Sequence, residues 1–160
     1  MSGSVIVELA DVTRTYGGIP VLDDVSVSIP SGVIAVIGPN GSGKSTLLGI
    51  LAGAVEPTAG TVRYGHDDGA TAGSGKRIGY LPQRVPFRDG FTARETLGFY
   101  ASLVDDDPDA ALAGVGLSDA GDKRVGALSG GMRRLLGVAQ ATLGDPAVAV
   151  LDEPTSGLDP

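Results

Sequence analysis

The sequence has 160 residues, 42% of them hydrophobic, and no cysteine. This length and composition favour a folded domain with a core of its own over a disordered chain. The lack of cysteine excludes disulfides and thiolate metal sites. The net charge of −7 argues against a general surface for nucleic acid or for anionic membranes.

The types of charged residue in the sequence suggest the kind of organism it comes from. Asp greatly outnumbers Glu, and lysine occurs only at Lys44, Lys76 and Lys123. Acidic, lysine-poor surfaces suit concentrated salt, where long-range repulsion between charges is screened. A halophilic source is therefore one hypothesis. The longest apolar runs are strand-sized, and the first residues do not resemble a signal peptide, so we expect a cytosolic protein without a membrane span.

The first half of the chain is predicted to combine strands with one helix. Val5–Leu9 and Val25–Ile29 are predicted strands, and Val33–Ile37 is predicted to be a buried strand. A helix is predicted from Lys44 to about Ala54, and Thr61–Tyr64 is a further short strand.

The second half begins with a predicted strand, Ile78–Leu81, and then becomes helical up to about position 145. Thr92 is a predicted N-cap, and Glu95 three residues later completes a capping box. Asp107 is the predicted N-cap of the next helix, with Pro108 at its first position. This interpretation is preferred to a carboxylate metal cluster in the same acidic run.

A longer helix is predicted from Ser129, and Gly144-Asp145-Pro146 ends it. Its predicted apolar face consists of Met132, Leu135, Leu136, Ala139 and Leu143. Ala147–Leu151 is the last predicted strand.

A glycine-rich loop joins the strand at 33–37 to the first helix. It reads Gly38-Pro39-Asn40-Gly41-Ser42-Gly43-Lys44-Ser45-Thr46. This fits the phosphate-loop pattern of Gly, four residues and Gly-Lys-Ser/Thr, between a strand and a helix. Such a loop turns backbone N–H groups and a helix N-terminus toward a polyphosphate. Lys44 would reach the β- and γ-phosphates and the Ser45 hydroxyl would bind Mg²⁺. The alternative is an ordinary strand-to-helix turn.

Two other segments resemble ligand sites without their full pattern. Gly73-Ser74-Gly75-Lys76 is rejected as a second phosphate loop because Arg77 replaces the required Ser/Thr and no strand precedes it. His66-Asp67-Asp68 suggests a metal site, but a single His without partners is more typical of a solvated loop.

The last strand delivers two adjacent carboxylates, Asp152 and Glu153, to its carboxyl end, where open α/β sheets bind ligands. Asp152 is predicted to hold the Mg²⁺ shell, and Glu153 to accept a proton from attacking water. The alternative is a solvated turn. The sequence argues against guanine specificity, because the base-reading motif of GTPases requires Asn and the only Asn is Asn40 inside the loop.

With Leu128-Ser129-Gly130-Gly131-Met132, the chain resembles an ATP-binding cassette (ABC) ATPase over essentially its whole length. The resemblance is carried in order by Gly38–Thr46, Gln83, Leu128–Met132, Ala147–Glu153 and Ser156–Asp159. It implies an α/β fold: a P-loop NTPase (RecA-like) core with antiparallel N-terminal strands and a helical subdomain that bears the signature. The implied domains are residues 1–83 for the first part of the core, 84–145 for the helical subdomain, and 146–160 for the Walker B strand and D-loop.

The resemblance also implies roles on the first side of the site. Tyr16 matches the aromatic residue that stacks on adenine, with an ordinary surface aromatic as the alternative. Gly38–Thr46 is the Walker A loop. Gln83 matches the Q-loop glutamine near Mg²⁺ and the attacking water, with a polar strand end as the alternative.

On the second side, Ser129, Gly130 and Gly131 match the signature that contacts the γ-phosphate held by the opposite subunit. A plain capped helix start is the alternative. Asp152 matches the Walker B aspartate, Glu153 the catalytic glutamate, and Asp159 the D-loop aspartate.

The implied function is an ATPase that powers a membrane transporter, with ATP and Mg²⁺ as ligands. Its implied partners are a transmembrane permease subunit and a second ATP-binding subunit, as a homodimer at the cytoplasmic face of the membrane. No nucleic acid is implied. Two alternatives stay open: a soluble, non-transport ABC ATPase acting on ribosomes or DNA, and a nucleotide-binding regulatory module without hydrolysis.

The sequence departs from the family pattern in two places. Met132 stands where most members have Gln, and a Gly-Met signature is similar to the ABC-2-type exporter group. Family members also continue beyond position 160 with a further strand and a switch histidine, which His66 does not match. The missing strand normally lies between the Walker A and Walker B strands. We therefore expect a fragment of a longer chain that hydrolyses ATP poorly by itself.

Overall fold

The computed structural model describes residues 5–65 and 78–158, and the chain divides into two units, residues 1–76 and 77–160. The first unit is built on an antiparallel sheet of β1 (Val5–Tyr16), β2 (Ile19–Pro30) and β3 (Ala59–Tyr64), in the order β2-β1-β3. Helix α1 (Lys44–Leu51) lies between β2 and β3 in sequence.

Strand β1 is longer than predicted, because a β-bulge interrupts the alternating pattern from which its end was predicted. Leu9 and Val12 are both buried, although an odd spacing places residues on opposite faces of a regular strand. The register shifts between these two residues, where Asp11 has φ 53°. The extra residue returns Val12 to the buried face, so the strand continues past the point where the alternating pattern breaks.

A two-residue hairpin loop connects β1 to β2. Gly17 and Gly18 have φ 56° and 82°, and positive φ at both positions is what a type I′ turn requires. Tyr16 therefore pairs with Ile19 at the tip of the hairpin.

The prediction that Val33–Ile37 forms a buried strand is wrong. The segment has no strand hydrogen bonding, and the side chains of Val33 and Ile37 are 101% and 91% exposed. An apolar run favours burial only where neighbouring strands flank it, and the run itself does not specify those neighbours. Within the described residues no strand pairs with this segment.

The second unit contains a parallel pair of strands, β4 (Ile78–Leu81) and β5 (Val148–Leu151). Ile78 pairs with Val148 and Leu81 with Leu151, so the two strands end in register. The residues that follow each strand therefore emerge side by side at one edge of the pair.

Between these strands lie α2 (Ala93–Ser102), α3 (Pro108–Gly114), α4 (Gly130–Thr142) and two short 3-10 helices, Ser118–Ala120 and Val125–Ala127. Their apolar faces form one core, whose largest fully buried members include Leu97, Leu112 and Leu136. In the described parts of the chain, no helix has the length and apolar character needed to cross a membrane.

The predicted helix starts are confirmed. The Thr92 hydroxyl accepts a hydrogen bond from the Glu95 N–H, and the Glu95 carboxylate accepts one from the Thr92 N–H, which completes the capping box. Asp107 caps α3, with Pro108 at its first position. These caps work because the first N–H groups of a helix have no partner within the helix.

Candidate functional site

The glycine-rich loop, residues 38–46, lies in the first unit, and its last three residues are the first three of α1. The Ser42 N–H donates to the Pro39 carbonyl at 3.2 Å, so the middle of the loop is a tight turn. Gly43, the residue before the helix, has φ 89°, and a Cβ there would lie 3.0 Å from the Val21 carbonyl oxygen. Both the conformation and the space therefore require glycine.

Lys44 folds back over its own loop. Its ammonium donates to the carbonyl oxygens of Gly38 and Pro39, both at 2.7 Å. Ser45 is exposed and Thr46 half-buried on the first turn of α1. The loop thus gathers a cation, a hydroxyl and a helix N-terminus, the groups that bind phosphate.

Tyr16, at the hairpin tip, is 45% exposed. The Arg14 guanidinium lies over its ring, 4.5 Å from the centroid. A hydrogen bond with Arg14 lowers the pKa of Tyr16, and a bond with Thr46 acts in the same direction, partly opposed by burial. The ring thus packs against Arg14 of its own strand, and its hydroxyl lies near Thr46, the last residue of the glycine-rich loop.

The ends of β4 and β5 bring three predicted site residues to one edge. Gln83 and Glu153 each lie two positions beyond the paired Leu81 and Leu151. Both residues are exposed, whereas Asp152 is only 4% exposed. The two neighbouring carboxylates therefore occupy different environments, as expected for residues that alternate along a strand.

Glu153 has an unusual backbone conformation, with φ 49°. In the described part of the chain, the other non-glycine residues at positive φ are all aspartates: Asp11, Asp24, Asp105 and Asp145. Aspartate tolerates this region, but for most residues it costs roughly 1 kcal/mol or more. Glu153 is thus held in a strained turn directly after β5.

The helix predicted from Ser129 is α4, and Ser129 is its N-cap. The Ser129 hydroxyl accepts a hydrogen bond from the Met132 N–H at 3.1 Å. Ser129 and Gly130 are exposed, so the start of α4 is open to solvent. A Cβ at Gly131 would lie 2.8 Å from the Gly157 carbonyl oxygen, so a larger residue would displace the turn that follows β5.

One residue of this region has no role in the sequence prediction. Arg134, on α4, is only 7% exposed and donates to the backbone carbonyls of Pro82, Gln83, Asp152 and Glu153. Burial lowers the pKa of Arg134, while the charges of Asp152 and Glu153 act in the opposite direction. Its sequence signal is an arginine midway between Gly131 and Gly137, two positions where a helix can approach its neighbour closely.

The predicted residues divide between the two units. Tyr16 and the loop 38–46 belong to the first, and Gln83, Ser129, Asp152 and Glu153 belong to the second. The predicted D-loop residue Asp159 lies outside the described residues, as do His66 and Lys76. Across residues 5–65 and 78–158, no cluster of three or more His, Cys, Asp or Glu side chains could hold a metal ion.

A model of the ABC transporter family matches residues 22–156. The chain belongs to this family. The predicted fold class, an α/β P-loop core with antiparallel N-terminal strands and a signature-bearing helical part, is confirmed.

Two curated relatives give the level of similarity. The chain is 40% identical over 169 residues to the Nod factor export ATP-binding protein I of Mesorhizobium japonicum, covering 99% of this chain and 50% of the relative. It is 41% identical over 154 residues to the zinc import ATP-binding protein ZnuC of Paracoccus denitrificans, covering 94% and 58%. The chain thus spans about half the length of the curated relatives it matches.

A solved structure shares the fold. It is an ABC transporter described as of the metal-chelate type, in an inward-facing conformation, and it matches with a TM-score of 0.77 at 25% identity. The match covers 98% of this chain and 62% of that one.

Proposed function

We propose that this chain is the ATP-binding and ATP-hydrolysing part of an ABC transporter. The observation that carries the proposal is at the end of β5, where a buried aspartate is followed by an exposed glutamate in a strained turn. Backbone strain of this kind is concentrated at functional sites. Membership of the ABC transporter family supports the same conclusion.

Phosphate binding is assigned to the loop Gly38–Thr46. Its backbone N–H groups and the N-terminus of α1 face the phosphate chain, and the Lys44 ammonium exchanges its bonds to Gly38 and Pro39 for phosphate oxygens. Tyr16, exposed at the hairpin tip and fixed by Arg14, stacks on the adenine ring.

Hydrolysis is assigned to the ends of β4 and β5. Water attacks the γ-phosphorus, the bond to the ADP oxygen breaks, and the water proton passes to the Glu153 carboxylate. Gln83, beside Glu153 by strand register, orients the water through its amide. The products are ADP and inorganic phosphate.

Ser45 of the first unit and Gln83 and Asp152 of the second are the residues that would hold Mg²⁺, since hydroxyl, amide and carboxylate oxygens are ligands of this ion. The ion would supply positive charge that offsets the charge developing in phosphoryl transfer. The buried Asp152 is held at the end of β5, where its N–H donates to the Leu81 carbonyl at 2.9 Å.

A second copy of the chain completes the site. The open N-terminus of α4, with Ser129, Gly130 and Gly131, contacts the γ-phosphate held by that second copy. ATP binding then closes the dimer and hydrolysis reopens it. The dimer acts at the cytoplasmic face of the membrane, on a separate transmembrane permease, and does not bind nucleic acid.

Export is the proposed direction. The Gly131-Met132 pair is similar to the ABC-2-type exporter group, and the Nod factor relative is named as an exporter. Relatives named as zinc and phosphonate importers match as well, so vesicle transport with the permease is the deciding measurement.

The proposal is tested by Glu153→Gln, which keeps the shape of the side chain and removes the proton acceptor. Glu56→Gln is the matched control, because Glu56 is exposed and its structural contact is through its backbone carbonyl. Phosphate release should fall at least about 100-fold in Glu153→Gln, and ATP-bound dimers should accumulate in size-exclusion chromatography. Equal turnover by Glu153→Gln and wild type would refute the role of Glu153. ATP binding by wild type with no phosphate release, even when it is mixed with a longer homologous chain, would select a regulatory module instead.

A further inference from the structure

The guanidinium of Arg134 forms hydrogen bonds to two loops, the one that follows β4 and the one that follows β5. Its Nη1 donates to the carbonyls of Pro82 at 2.8 Å and Gln83 at 3.1 Å, both just after β4. Its Nε donates to the Glu153 carbonyl at 3.0 Å, and its Nη2 donates to the Asp152 carbonyl, both just after β5. One buried side chain therefore holds the backbones that carry Gln83 and Glu153.

The four carbonyls lie beyond the last ladder pair of the two strands, Leu81 and Leu151. The Asp152 N–H still donates to the Leu81 carbonyl, but the ladder ends there, and the carbonyls that follow need another donor. Arginine suits this task because its planar fork presents several N–H groups in fixed directions and has no acceptor. One guanidinium thus bonds both loops, in addition to the strand pairing that precedes them.

Two glycines allow α4 to lie close enough for these bonds. A Cβ at Gly137 would lie 2.6 Å from the Leu81 Cδ1 atom, and one at Gly131 would lie 2.8 Å from the Gly157 carbonyl oxygen. Both glycines are three residues from Arg134, so each is its neighbour on the surface of the helix. Larger residues there would push the helix away from β4 and from the turn after β5.

The strained turn at Glu153 depends on the same contact. The Glu153 carbonyl accepts from the Arg134 Nε and also from the Ser156 N–H at 3.1 Å. Its φ of 49° is a conformation that a glutamate does not keep unless its surroundings fix it. Arg134 is the side chain that supplies this restraint from α4.

We propose that Arg134 is a positioning residue for ATP hydrolysis: by bonding the carbonyls after β4 and β5, it fixes the distance between Gln83 and Glu153. The inference rests on the proposed function of these two residues.

A purely structural role for Arg134 makes a different prediction. If the guanidinium only stabilised the unit, its loss would lower the melting temperature and affect every activity in proportion. A positioning role instead separates turnover from ATP affinity, because the phosphate-binding loop belongs to the other unit.

The test uses the full chain with Arg134→Lys and Arg134→Met, and Arg133→Met as the matched control. Arg133 is the neighbouring arginine on α4, and it pairs with Asp89 on the surface. We expect kcat to fall about 10- to 100-fold in Arg134→Met and less in Arg134→Lys, with the Kd for ATP changed by less than about threefold. Arg133→Met should keep the wild-type kcat and the wild-type Kd for ATP.

Hydrogen exchange gives a second readout that needs no turnover. The Asp152 and Ser156 amides, which bond to Leu81 and Glu153, should exchange faster in Arg134→Lys, whereas the Thr96 amide in α2 should not. Normal kcat in a folded Arg134→Met variant, or uniform loss of protection across the unit in Arg134→Lys, would overturn the proposal. If instead Glu153→Gln turns over like wild type while the local exchange effect appears, the proposed function fails and the positioning contact stands.

Discussion

The Lys44 ammonium donates a hydrogen bond of 2.7 Å to the carbonyl oxygen of Gly38, the first residue of its own loop. The cation is therefore already directed into the loop that it is proposed to complete around phosphate. Among the lysines that the structure describes, Lys44 therefore differs from Lys123, which is exposed in the other unit.

Replacing Lys44 by alanine should weaken ATP binding about 10- to 100-fold, because one charge-assisted contact to phosphate contributes roughly 1.5–3 kcal/mol. Isothermal titration with ATP measures the effect. Lys123→Ala is the control, since Lys123 is exposed in the other unit. Equal affinities of the two variants would contradict the assignment of the loop.

The two tasks given to Ser129 can be separated by Ser129→Asp. Aspartate caps helices about as well as serine, so thermal unfolding should stay near that of wild type. The added carboxylate would repel the γ-phosphate of the second copy, so ATP turnover should fall at least about 10-fold. The equivalent change at the cap of α2, Thr92→Asp, should leave both the melting temperature and the rate of ATP turnover near those of wild type. Normal turnover in Ser129→Asp would leave Ser129 as a simple cap.

Tyr64→Phe should show a stability loss that depends on pH. The Tyr64 hydroxyl donates to the carbonyls of Leu51 at 3.1 Å and Ile50 at 3.3 Å, at the end of α1. Losing these bonds should lower the free energy of unfolding by about 1 kcal/mol at pH 7. Burial raises the pKa of Tyr64, so wild type keeps this stability below pH of about 10 and loses it as the pH rises through the folded-state pKa. Urea titrations should therefore show a smaller difference in unfolding free energy between wild type and Tyr64→Phe at pH 10.5 than at pH 7.

Tyr16→Phe is the control of opposite sign. The pKa of Tyr16 is lowered, so its contribution grows as the pH rises toward its unfolded value and persists above it. The stability difference between wild type and Tyr16→Phe should thus widen with alkaline pH. If the stability difference from wild type changed with pH in the same direction for Tyr16→Phe and Tyr64→Phe, these pKa directions would be contradicted.

The acidic surface predicts a response to salt. With a net charge of −7, raising KCl from low to molar concentration should increase the melting temperature by roughly 5 °C, because repulsion is screened. A control replaces the exposed Asp23 and Asp119 by lysine. Each change removes one negative charge and adds one positive charge, so the net charge goes from −7 to −3. The salt response should shrink in this variant. Indifference of wild type to KCl would remove the halophilic hypothesis.

Local signals in the sequence predicted local structure well. The capping residues Thr92, Asp107 and Ser129 stand where the structure starts its helices, because a cap depends on three or four neighbouring residues. Ile78–Leu81 has the predicted bounds for the same reason, since its apolar run is short and clearly bounded.

Features that depend on distant partners were predicted less well. The apolar run Val33–Ile37 has the composition of a buried strand and is exposed, because composition does not supply a ladder partner. Arg134 escaped the sequence analysis since its four acceptors are backbone carbonyls, which carry no residue signature. The roles of Tyr16 and Gln83 rest on the family resemblance, whereas that of Glu153 also rests on its place after an apolar strand. All three roles stay predictions.

The in-register pairing of Leu81 with Leu151 has a kinetic consequence. The helices of the second unit start at caps encoded within a few residues, so they can form early and independently. The strand pair must instead close a long loop, which delays its formation relative to local contacts. We therefore expect β4 and β5 to join late in folding, and the turn that bears Glu153 to be among the last parts of this unit to acquire its native geometry.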